Sequence, residues 1–240
     1  MNKLLICCRL QDCADLASRD LKKVQGTSKK LEPTRTYTHH THIVNDVEYH
    51  PIVKPWIGTV SDDLTLAILD TRRPQTDSAA VVAKNGHTDA INALSFNPRC
   101  EYLVATASAD KTVGIWDIRN LKKKVHTLEG HNDAVTSVAW HPTEVSILGS
   151  ASYDRRLIFW DVSKVGDEQT QEEMEDGPPE LLFMHGGHTN HMADFSWNSN
   201  EPWLVASAAE DNLLQIWKVA ESIVEKDVAP LPMDELESAN

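Results

Sequence analysis

A His, an Asp and a Trp recur along this chain at nearly constant spacing. The four copies are His42, Asp63 and Leu69; His87, Asp110 and Trp116; His131, Asp154 and Trp160; and His188, Asp211 and Trp217. The His and the Asp are 23 positions apart in three copies and 21 in the first, which ends in Leu rather than Trp. The Asp and the last residue are six positions apart in all four. Such constant spacings indicate a repeat array, which restricts the possible folds.

Each copy divides into short apolar runs separated by turn residues. In the second copy, strands are predicted at 90–96, 102–108, 112–116 and 125–128. Asn97-Pro98 and Asp110-Lys111 are typical of turns between them. Four antiparallel strands about every 45 residues, with Gly-His before them and Trp-Asp after, are typical of a WD-repeat β-propeller. The sequence therefore predicts an all-β fold with four blades.

The repeat boundaries predict the domain organisation. We expect blades at about 31–75, 76–120, 121–165 and 181–219, with an acidic loop at 166–180. Residues 1–30 are expected to be irregular or the remnant of a preceding blade, and residues 220–240 a short helix followed by an acidic tail.

The repeated polar residues are expected to belong to the scaffold. In WD-repeat blades, the His, a Ser or Thr, the turn Asp and the Trp form a hydrogen-bonded set, which satisfies buried polar groups. By this resemblance, the expected sets are His87, Ser108, Asp110 and Trp116; His131, Ser152, Asp154 and Trp160; and an incomplete one of His188, Asp211 and Trp217, where Ala209 replaces the Ser. The first copy is expected to be incomplete as well, because Leu69 replaces the Trp.

The composition restricts the class of partner and the compartment. A net charge of −13 argues against nucleic acid or an anionic membrane as a main partner. The cysteines are few and clustered, which favours a reducing compartment: Cys7, Cys8, Cys13 and Cys100. No signal peptide or membrane span is predicted. We expect a cytoplasmic and nuclear protein.

Catalytic motifs are not found in the sequence. It has no Gly-rich phosphate loop, nucleophile elbow or zincin helix, so we expect no enzyme activity and no cofactor. The cluster His39-His40-Thr41-His42 suggests metal binding, but adjacent imidazoles on a strand point to opposite faces, so we expect no metal. The remaining enzymatic alternative is a hydrolase, which would need a perturbed carboxylate or His in the channel.

The longest break in the repeats lies between Asp161 and His188. Residues 166–180 contain seven carboxylates and no Lys or Arg. A solvated, disordered loop is one interpretation of this composition. Pro178-Pro179 stiffens the segment, however, and the apolar residues 181–183 follow directly. A stiff acidic rim beside apolar side chains can hold a basic amphipathic helix through Arg–carboxylate bonds.

Several segments resemble the histone-binding WD-repeat proteins of the retinoblastoma-binding group. They are Leu31–Tyr37, Ala109–Thr112, Asp176–Phe183, His185–His188, Asp194–Asn198 and Asn200–Trp203. The segments His188–Trp197, Ala206–Asp211 and Ile216–Ser222 are similar to its fungal acetyltransferase-subunit branch. The resemblance covers about residues 31–225. It implies a non-catalytic, seven-bladed protein that holds histone H4 and, in some members, the histone H3 tail.

The resemblance also implies site residues. The proline-containing loop of the family helps to hold the first helix of H4, and the matching positions are Glu172, Glu173, Glu175, Asp176, Glu180, Leu181 and Phe183. The channel face that binds partners is expected at Asn45, Asp62, Asn92, Tyr153 and Glu210. Ala134, Thr136 and Asn45 stand where the broader group often has Glu, Phe and Glu. These departures favour the acetyltransferase-subunit branch over binding of the H3 tail.

The family has an N-terminal helix and three more blades than this sequence encodes. In the family, that helix forms the other wall of the H4 groove. We therefore expect an N-terminally truncated chain that corresponds to the C-terminal part of a seven-bladed ring and forms an open arc. In the alternative, Thr34–Tyr37 pairs with the blade of Trp217 and closes a four-bladed ring.

The functional expectation is a non-catalytic histone-binding subunit of a type B histone acetyltransferase complex. Its expected partners are histone H4, histone H3 as a second candidate, and the catalytic subunit of that complex. It would act in acetylation and chromatin assembly, including assembly linked to DNA repair. The alternative is a generic WD-repeat scaffold in another chromatin or ubiquitin-ligase complex, without histone specificity.

Overall fold

The chain forms five antiparallel β-sheets in the part that the computed structural model describes. That part comprises residues 4–7, 16–20, 35–73, 79–171, 174 and 177–224. The first sheet contains β1 (Leu4–Cys7), β2 (Leu16–Asp20) and β3 (Arg35–Tyr37). Two segments of the region expected to be irregular or a blade remnant are thus strands.

The other four sheets are the blades of a partial propeller. The first blade contains β4 (Val44–Tyr49), β5 (Trp56–Ser61), β6 (Leu66–Asp70) and β7 (Ala79–Ala83), which pair in sequence order. This meander follows from short strands joined by short connections.

The second blade repeats this order. It contains β8 (Ile91–Phe96), β9 (Leu103–Ser108), β10 (Thr112–Asp117) and β11 (His126–Glu129). A 3-10 turn at Ile118–Asn120 follows β10, with the Asp117 carboxylate accepting from the Arg119 N–H.

The third blade has the acidic loop before its outer strand. It contains β12 (Val135–Trp140), β13 (Ile147–Ser152), β14 (Leu157–Asp161) and β15 (Leu181–His185). A 3-10 turn at Val162–Lys164 follows β14, and the chain then enters the loop.

The fourth blade has three strands in the described part of the chain. They are β16 (Met192–Trp197), β17 (Leu204–Ala209) and β18 (Leu214–Lys218), and helix α1 (Glu221–Val224) follows them. No described strand pairs with the outer edge of β18, and the sheets do not close on one another. The blades therefore form an open arc, as predicted.

The alternative of a four-bladed ring is wrong for the residues that the structure describes. In β3, Tyr37 lies opposite Leu16 and Arg35 lies opposite Ser18, so β3 pairs with β2 and not with the blade of Trp217. Thr34, the remaining residue of the proposed strand, lies outside the described residues.

All blades share one orientation. The inner strands are β4, β8, β12 and β16, and we call the end at which they begin the upper end. One backbone hydrogen bond marks this end in each blade: Asp62 N to Ile43 O, Ala109 N to Ala90 O, Tyr153 N to Ala134 O, and Glu210 N to His191 O. The inner strands end at the opposite, lower end. One backbone hydrogen bond marks this end in each blade: Thr71 N to Pro55 O, Ile118 N to Tyr102 O, Val162 N to Ser146 O, and Val219 N to Trp203 O.

The apolar cores lie between neighbouring blades. The first and second blades share a cluster that includes Leu66, Ile68 and Phe96. Further clusters join the second to the third blade and the third to the fourth. Because both faces of a central blade are covered, its middle strands are continuously apolar: residues 157–160 in β14 are all buried. β18 instead alternates exposed and half-buried residues, because only one of its faces is covered.

Candidate functional site

The repeated His, Asp and Trp of the second blade are joined through a hydroxyl group. His87 Nδ1 donates to Asp110 Oδ2 at 2.9 Å, and Thr106 Oγ1 lies 2.8 Å from His87 Nε2. Trp116 Nε1 donates to the same Thr106 hydroxyl at 2.8 Å. With the imidazole proton on Nδ1, the Trp116 indole donates to the Thr106 hydroxyl, this hydroxyl donates to His87 Nε2, and His87 Nδ1 donates to the Asp110 carboxylate.

This hydroxyl is not the one that the sequence predicts. Ser108 lies two residues further along β9, where its Oγ donates to Ala90 O at 2.9 Å and accepts from Asp110 N at 3.1 Å. Ser152 differs from the prediction in the same way, because its Oγ donates to Asp133 O at 2.9 Å. Ser108 and Ser152 therefore support the same turns, but they do not link the His to the Trp.

In the third blade, Ser150 provides the linking hydroxyl. Its Oγ lies 2.8 Å from His131 Nε2 and accepts from Trp160 Nε1 at 2.7 Å. His131 Nδ1 and Asp154 Oδ2 are 3.0 Å apart, which completes the set.

The fourth set is complete, contrary to the prediction. Ser207 Oγ lies 2.9 Å from His188 Nε2 and accepts from Trp217 Nε1 at 3.1 Å. His188 Nδ1 lies 3.3 Å from Asp211 Oδ2. Ala209 does not break the network, because the residue at its position is not the linking hydroxyl in any blade.

In the first blade, the scaffold histidine is His40 and not His42. His40 Nδ1 lies 3.0 Å from Asp63 Oδ2, and His40 Nε2 lies 2.9 Å from Thr59 Oγ1. His42 is exposed. With His40, the spacing to the Asp is 23 positions in all four blades. Leu69 is fully buried where the other blades place an indole, so this set has no indole donor.

The turn aspartates also shape the backbone. In each blade, one carboxylate oxygen accepts from the N–H two residues later, at 3.0 or 3.1 Å; the donors are Thr65, Thr112, Arg156 and Leu213. The residue between them has a positive φ: Leu64, Lys111, Arg155 and Asn212. A side chain that bonds to its own turn stabilises this conformation, which explains why Asp occurs at the same position of every repeat.

In the second and third blades, the Gly before the motif histidine makes room for the indole. A Cβ added to Gly86 would overlap the ring of Trp116, and one added to Gly130 would lie 2.8 Å from the ring of Trp160. The Gly-His pair in the second and third blades therefore has a packing cause.

Electrostatics support a structural role for the network. Burial lowers the pKa of His87 against the opposing effect of Asp110. Burial acts to raise the pKa of Asp110, but hydrogen bonds from His87 and Thr112 outweigh it and hold that pKa below its ordinary value. A neutral imidazole thus donates to an ionised carboxylate inside the blade.

Polar side chains connect successive inner strands at the upper end. Asn45 Nδ2 donates to Ile91 O at 2.9 Å, and Asn92 Nδ2 donates to Val135 O at 2.8 Å. Thr136 Oγ1 donates to Met192 O at 3.0 Å, which continues the series into the fourth blade. Two residues predicted to bind partners at the channel face are therefore occupied by contacts between blades.

The other three predicted channel-face residues differ in exposure. Asp62 Oδ1 accepts from Asn45 Nδ2 at 2.7 Å. Tyr153 is 41% exposed, with its ring 5.0 Å from that of His191, and Glu210 is exposed. Tyr153 and Glu210 are thus the members of this set that the upper end presents to solvent.

Two carboxyl groups on β4 have structural roles that no sequence pattern predicts. Asp46 Oδ2 accepts from Leu94 N at 3.0 Å, and Glu48 Oε2 accepts from Phe96 N at 2.8 Å. Burial raises the pKa of Glu48 to about 8 and also raises that of Asp46. Glu48 is a perturbed carboxylate of the kind that a hydrolase needs, but its bond to the backbone of the second blade gives it a structural role.

The acidic loop is described at its two ends. Glu172, Glu173, Glu175 and Asp176 lie outside the described residues. At the start of the loop, Gln169 Nε2 donates to Gly177 O at 3.1 Å. At its end, Leu181 N donates to Pro178 O at 2.9 Å.

Glu180 fastens the end of the loop to the second blade. Its side chain is 7% exposed, and its Oε1 lies 3.0 Å from His126 Nε2. Leu181 packs against the core between the second and third blades, and Phe183 packs near Phe159, with ring centroids 6.1 Å apart. These three residues therefore anchor the loop. Leu181 and Phe183 are only half-buried, so part of each side chain remains open to a partner.

Two further kinds of feature are absent from the part of the chain that the structure describes. No group of three or more His, Cys, Asp or Glu side chains is placed there to hold a metal ion. None of the helices described is long and apolar enough to cross a membrane.

The repeat geometry agrees with a comparison of known families. The WD domain, G-beta repeat model matches residues 80–117, 122–161 and 179–218, which fall in the second, third and fourth blades. Together with the hydrogen-bonded sets of the four blades, this match shows that the chain contains WD repeats and has the fold of a partial WD-repeat β-propeller.

Three relatives of high identity share one name. The chain is 80% identical over 218 residues to histone acetyltransferase type B subunit 2 of Neurospora crassa, an alignment that covers 91% of this chain and 49% of the relative. It is 78% identical to the protein of that name from Gibberella zeae, over 91% of this chain and 50% of the relative. For the Schizosaccharomyces pombe protein, the identity is 59% over 88% of this chain and 49% of the relative. The chain thus spans about half the length of the curated relatives it matches.

Proposed function

We infer that the chain is a non-catalytic, histone-binding part of a type B histone acetyltransferase complex. The names of its relatives support membership of such a complex. The scaffold supports a non-catalytic role, since the repeated His and Asp side chains are engaged inside the blades. The partner itself is inferred from the acidic loop.

The acidic loop is the observation that carries the proposal of histone H4 as partner. Its seven carboxylates are not interrupted by Lys or Arg. Both described ends are fastened, by Gln169 to Gly177 and by Glu180 to His126. A fastened acidic segment loses less conformational entropy on binding than a free one, and carboxylates bind Arg and Lys through charge-assisted bonds. A basic amphipathic helix, such as the first helix of H4, suits this surface.

The direct contacts are assigned to Glu172, Glu173, Glu175 and Asp176. The test is a pull-down of the full chain with a peptide of the first H4 helix, beside an unrelated basic helical peptide of equal charge. We expect retention of the H4 peptide and loss of that retention in Glu172→Lys/Glu173→Lys. Equal retention of both peptides would instead support a generic WD-repeat scaffold.

A matched control separates the loop from general electrostatics. Glu129 and Glu144 are exposed on the second and third blades, and Glu129→Lys/Glu144→Lys changes the net charge by the same amount. The control is expected to bind the H4 peptide like the unmodified chain. Equal losses in the two variants would overturn the assignment to the loop.

Histone H3 is the second candidate partner. Tyr153 and Glu210 offer an aromatic ring and a carboxylate at the upper end, a combination that suits a basic tail. Asn45 and Asn92 already bond to neighbouring blades, so fewer channel residues are available. We therefore rank H3 below H4. Binding to the catalytic subunit, and action in both cytoplasm and nucleus, complete the proposal.

A further inference from the structure

The lower ends of the first and second blades concentrate positive charge. Four segments at these ends, 50–56, 70–73, 97–102 and 117–125, contain eight Lys or Arg and three Asp or Glu, in a chain of net charge −13. We call seven of these cations the lower basic surface: Lys54, Arg72, Arg73, Arg99, Arg119, Lys122 and Lys123. The eighth, Lys124, is half-buried, with its Nζ 3.4 Å from His87 Nδ1.

Hydrogen bonds show that the four segments form one continuous surface. Within the first blade, Thr71 N donates to Pro55 O at 2.9 Å. Between the blades, His50 Nε2 lies 2.9 Å from Glu101 O. Within the second blade, Ile118 N donates to Tyr102 O at 2.8 Å, and the Arg119 guanidinium lies 4.2 Å from the Tyr102 ring centroid.

The cations of this surface are presented to solvent, and two are held in place. The side chains of Arg72 and Arg119 are 68% and 64% exposed. Each is bound by a carboxylate two residues earlier, with Nη2 to Oδ2 distances of 2.7 Å to Asp70 and 2.6 Å to Asp117. A guanidinium has five N–H donors, so these contacts leave donors for a second carboxylate.

An apolar side chain lies within the same surface. Ile52 is 44% exposed on the loop that also carries Lys54. The acidic net charge of the whole chain repels a long polyanion such as nucleic acid, while a short acidic peptide is repelled much less. We propose that the lower basic surface binds an acidic segment of a partner protein, with Ile52 contacting an apolar residue of that segment.

This site differs from the proposed histone site in charge. The two lie side by side, because Glu180 at the end of the acidic loop contacts His126, which directly follows the segment 117–125. The acidic loop suits a basic helix, whereas the lower basic surface repels one. The two surfaces allow the chain to hold a basic and an acidic partner at once. Loss of either interaction can be measured while the other is retained.

The test uses the full chain and a fluorescein-labelled peptide of alternating Glu and Leu, followed by fluorescence anisotropy at physiological ionic strength. We expect Lys54→Glu/Arg99→Glu to raise the Kd at least about tenfold. The matched control is Lys84→Glu/Arg155→Glu, whose exposed cations lie at the upper end. The control is expected to change the Kd less than about twofold.

Three results would overturn the proposal. They are no binding of the peptide to the unmodified chain, equal losses in the lower and upper variants, and tighter binding of an oligothymidylate of equal charge. The last would identify a nucleic-acid surface instead. Retention of the H4 peptide by both variants, with unchanged unfolding midpoints, keeps this test independent of the histone proposal.

Discussion

One hydroxyl in each blade contacts a buried imidazole and, in three blades, also accepts an indole N–H. These hydroxyls follow the motif histidine by 19 positions in every blade: Thr59, Thr106, Ser150 and Ser207. The constant interval was available in the sequence. Ser108 and Ser152 obscured it, because residues two apart on a strand face the same side. The pattern thus predicted the network but not the atom at its centre.

Removal of the Thr106 hydroxyl is expected to destabilise the second blade. Thr106→Val leaves the Trp116 indole N–H and His87 Nε2 without partners in a buried site. We predict a loss of about 2–4 kcal/mol in the free energy of unfolding. Thr106→Ser, which keeps the hydroxyl as in the third and fourth blades, is expected to lose less than about 1.5 kcal/mol. Urea unfolding measures both, and equal losses would contradict the role of the hydroxyl.

The Glu48 carboxyl predicts a pH dependence. Its pKa rises from 4.5 to about 8 on folding, so the folded chain binds more protons between these values than the unfolded chain. The stability contributed by this proton is therefore present at low pH and lost as the pH rises towards 8, by at most about 1.4 kcal/mol per pH unit. Glu48→Gln is expected to reduce the slope between pH 6.5 and 8, in urea unfolding at several pH values. The same slope in Glu48→Gln and in the exposed control Glu144→Gln would refute this.

Among the strands, burial distinguishes the middle strands of the central blades, such as β14, from β18, the last described strand of the fourth blade. The alternating and continuous apolar runs were sufficient to predict most strands, because their period and turn residues are local. The contact between Glu180 and His126 was not predictable, since it joins residues 54 positions apart. It depends on the path of the acidic loop across the neighbouring blade, which no local pattern encodes.

Two leucines test this difference between strands. Leu157 in β14 is fully buried, whereas Leu214 in β18 is 68% exposed. Leu157→Ala is expected to lower the free energy of unfolding by about 2–5 kcal/mol. Leu214→Ala is expected to change it by about 0.5 kcal/mol or less. Denaturant unfolding followed by circular dichroism provides the measurement. Similar losses for the two variants would show that the exposed face of β18 is covered in solution.

At the scale of the whole molecule, charge is divided between surfaces. The acidic loop and the lower basic surface carry opposite charge on one scaffold, whose own His and Asp side chains are used inside the blades. The fold was predictable because the same strand and turn pattern occurs four times in the sequence. The histone partner was expected from a resemblance, and the contacts proposed for it involve carboxylates that no repeat specifies.

The proposed function rests on binding of the basic first helix of H4 by the acidic loop. The most direct measurement is the Kd of that helix peptide and of a charge-reversed peptide, each titrated against the unmodified chain and Glu172→Lys/Glu173→Lys. We expect the variant to lose at least about tenfold affinity for the native peptide and to gain affinity for the reversed one. A variant that binds the native peptide as tightly as the unmodified chain does would contradict this proposal.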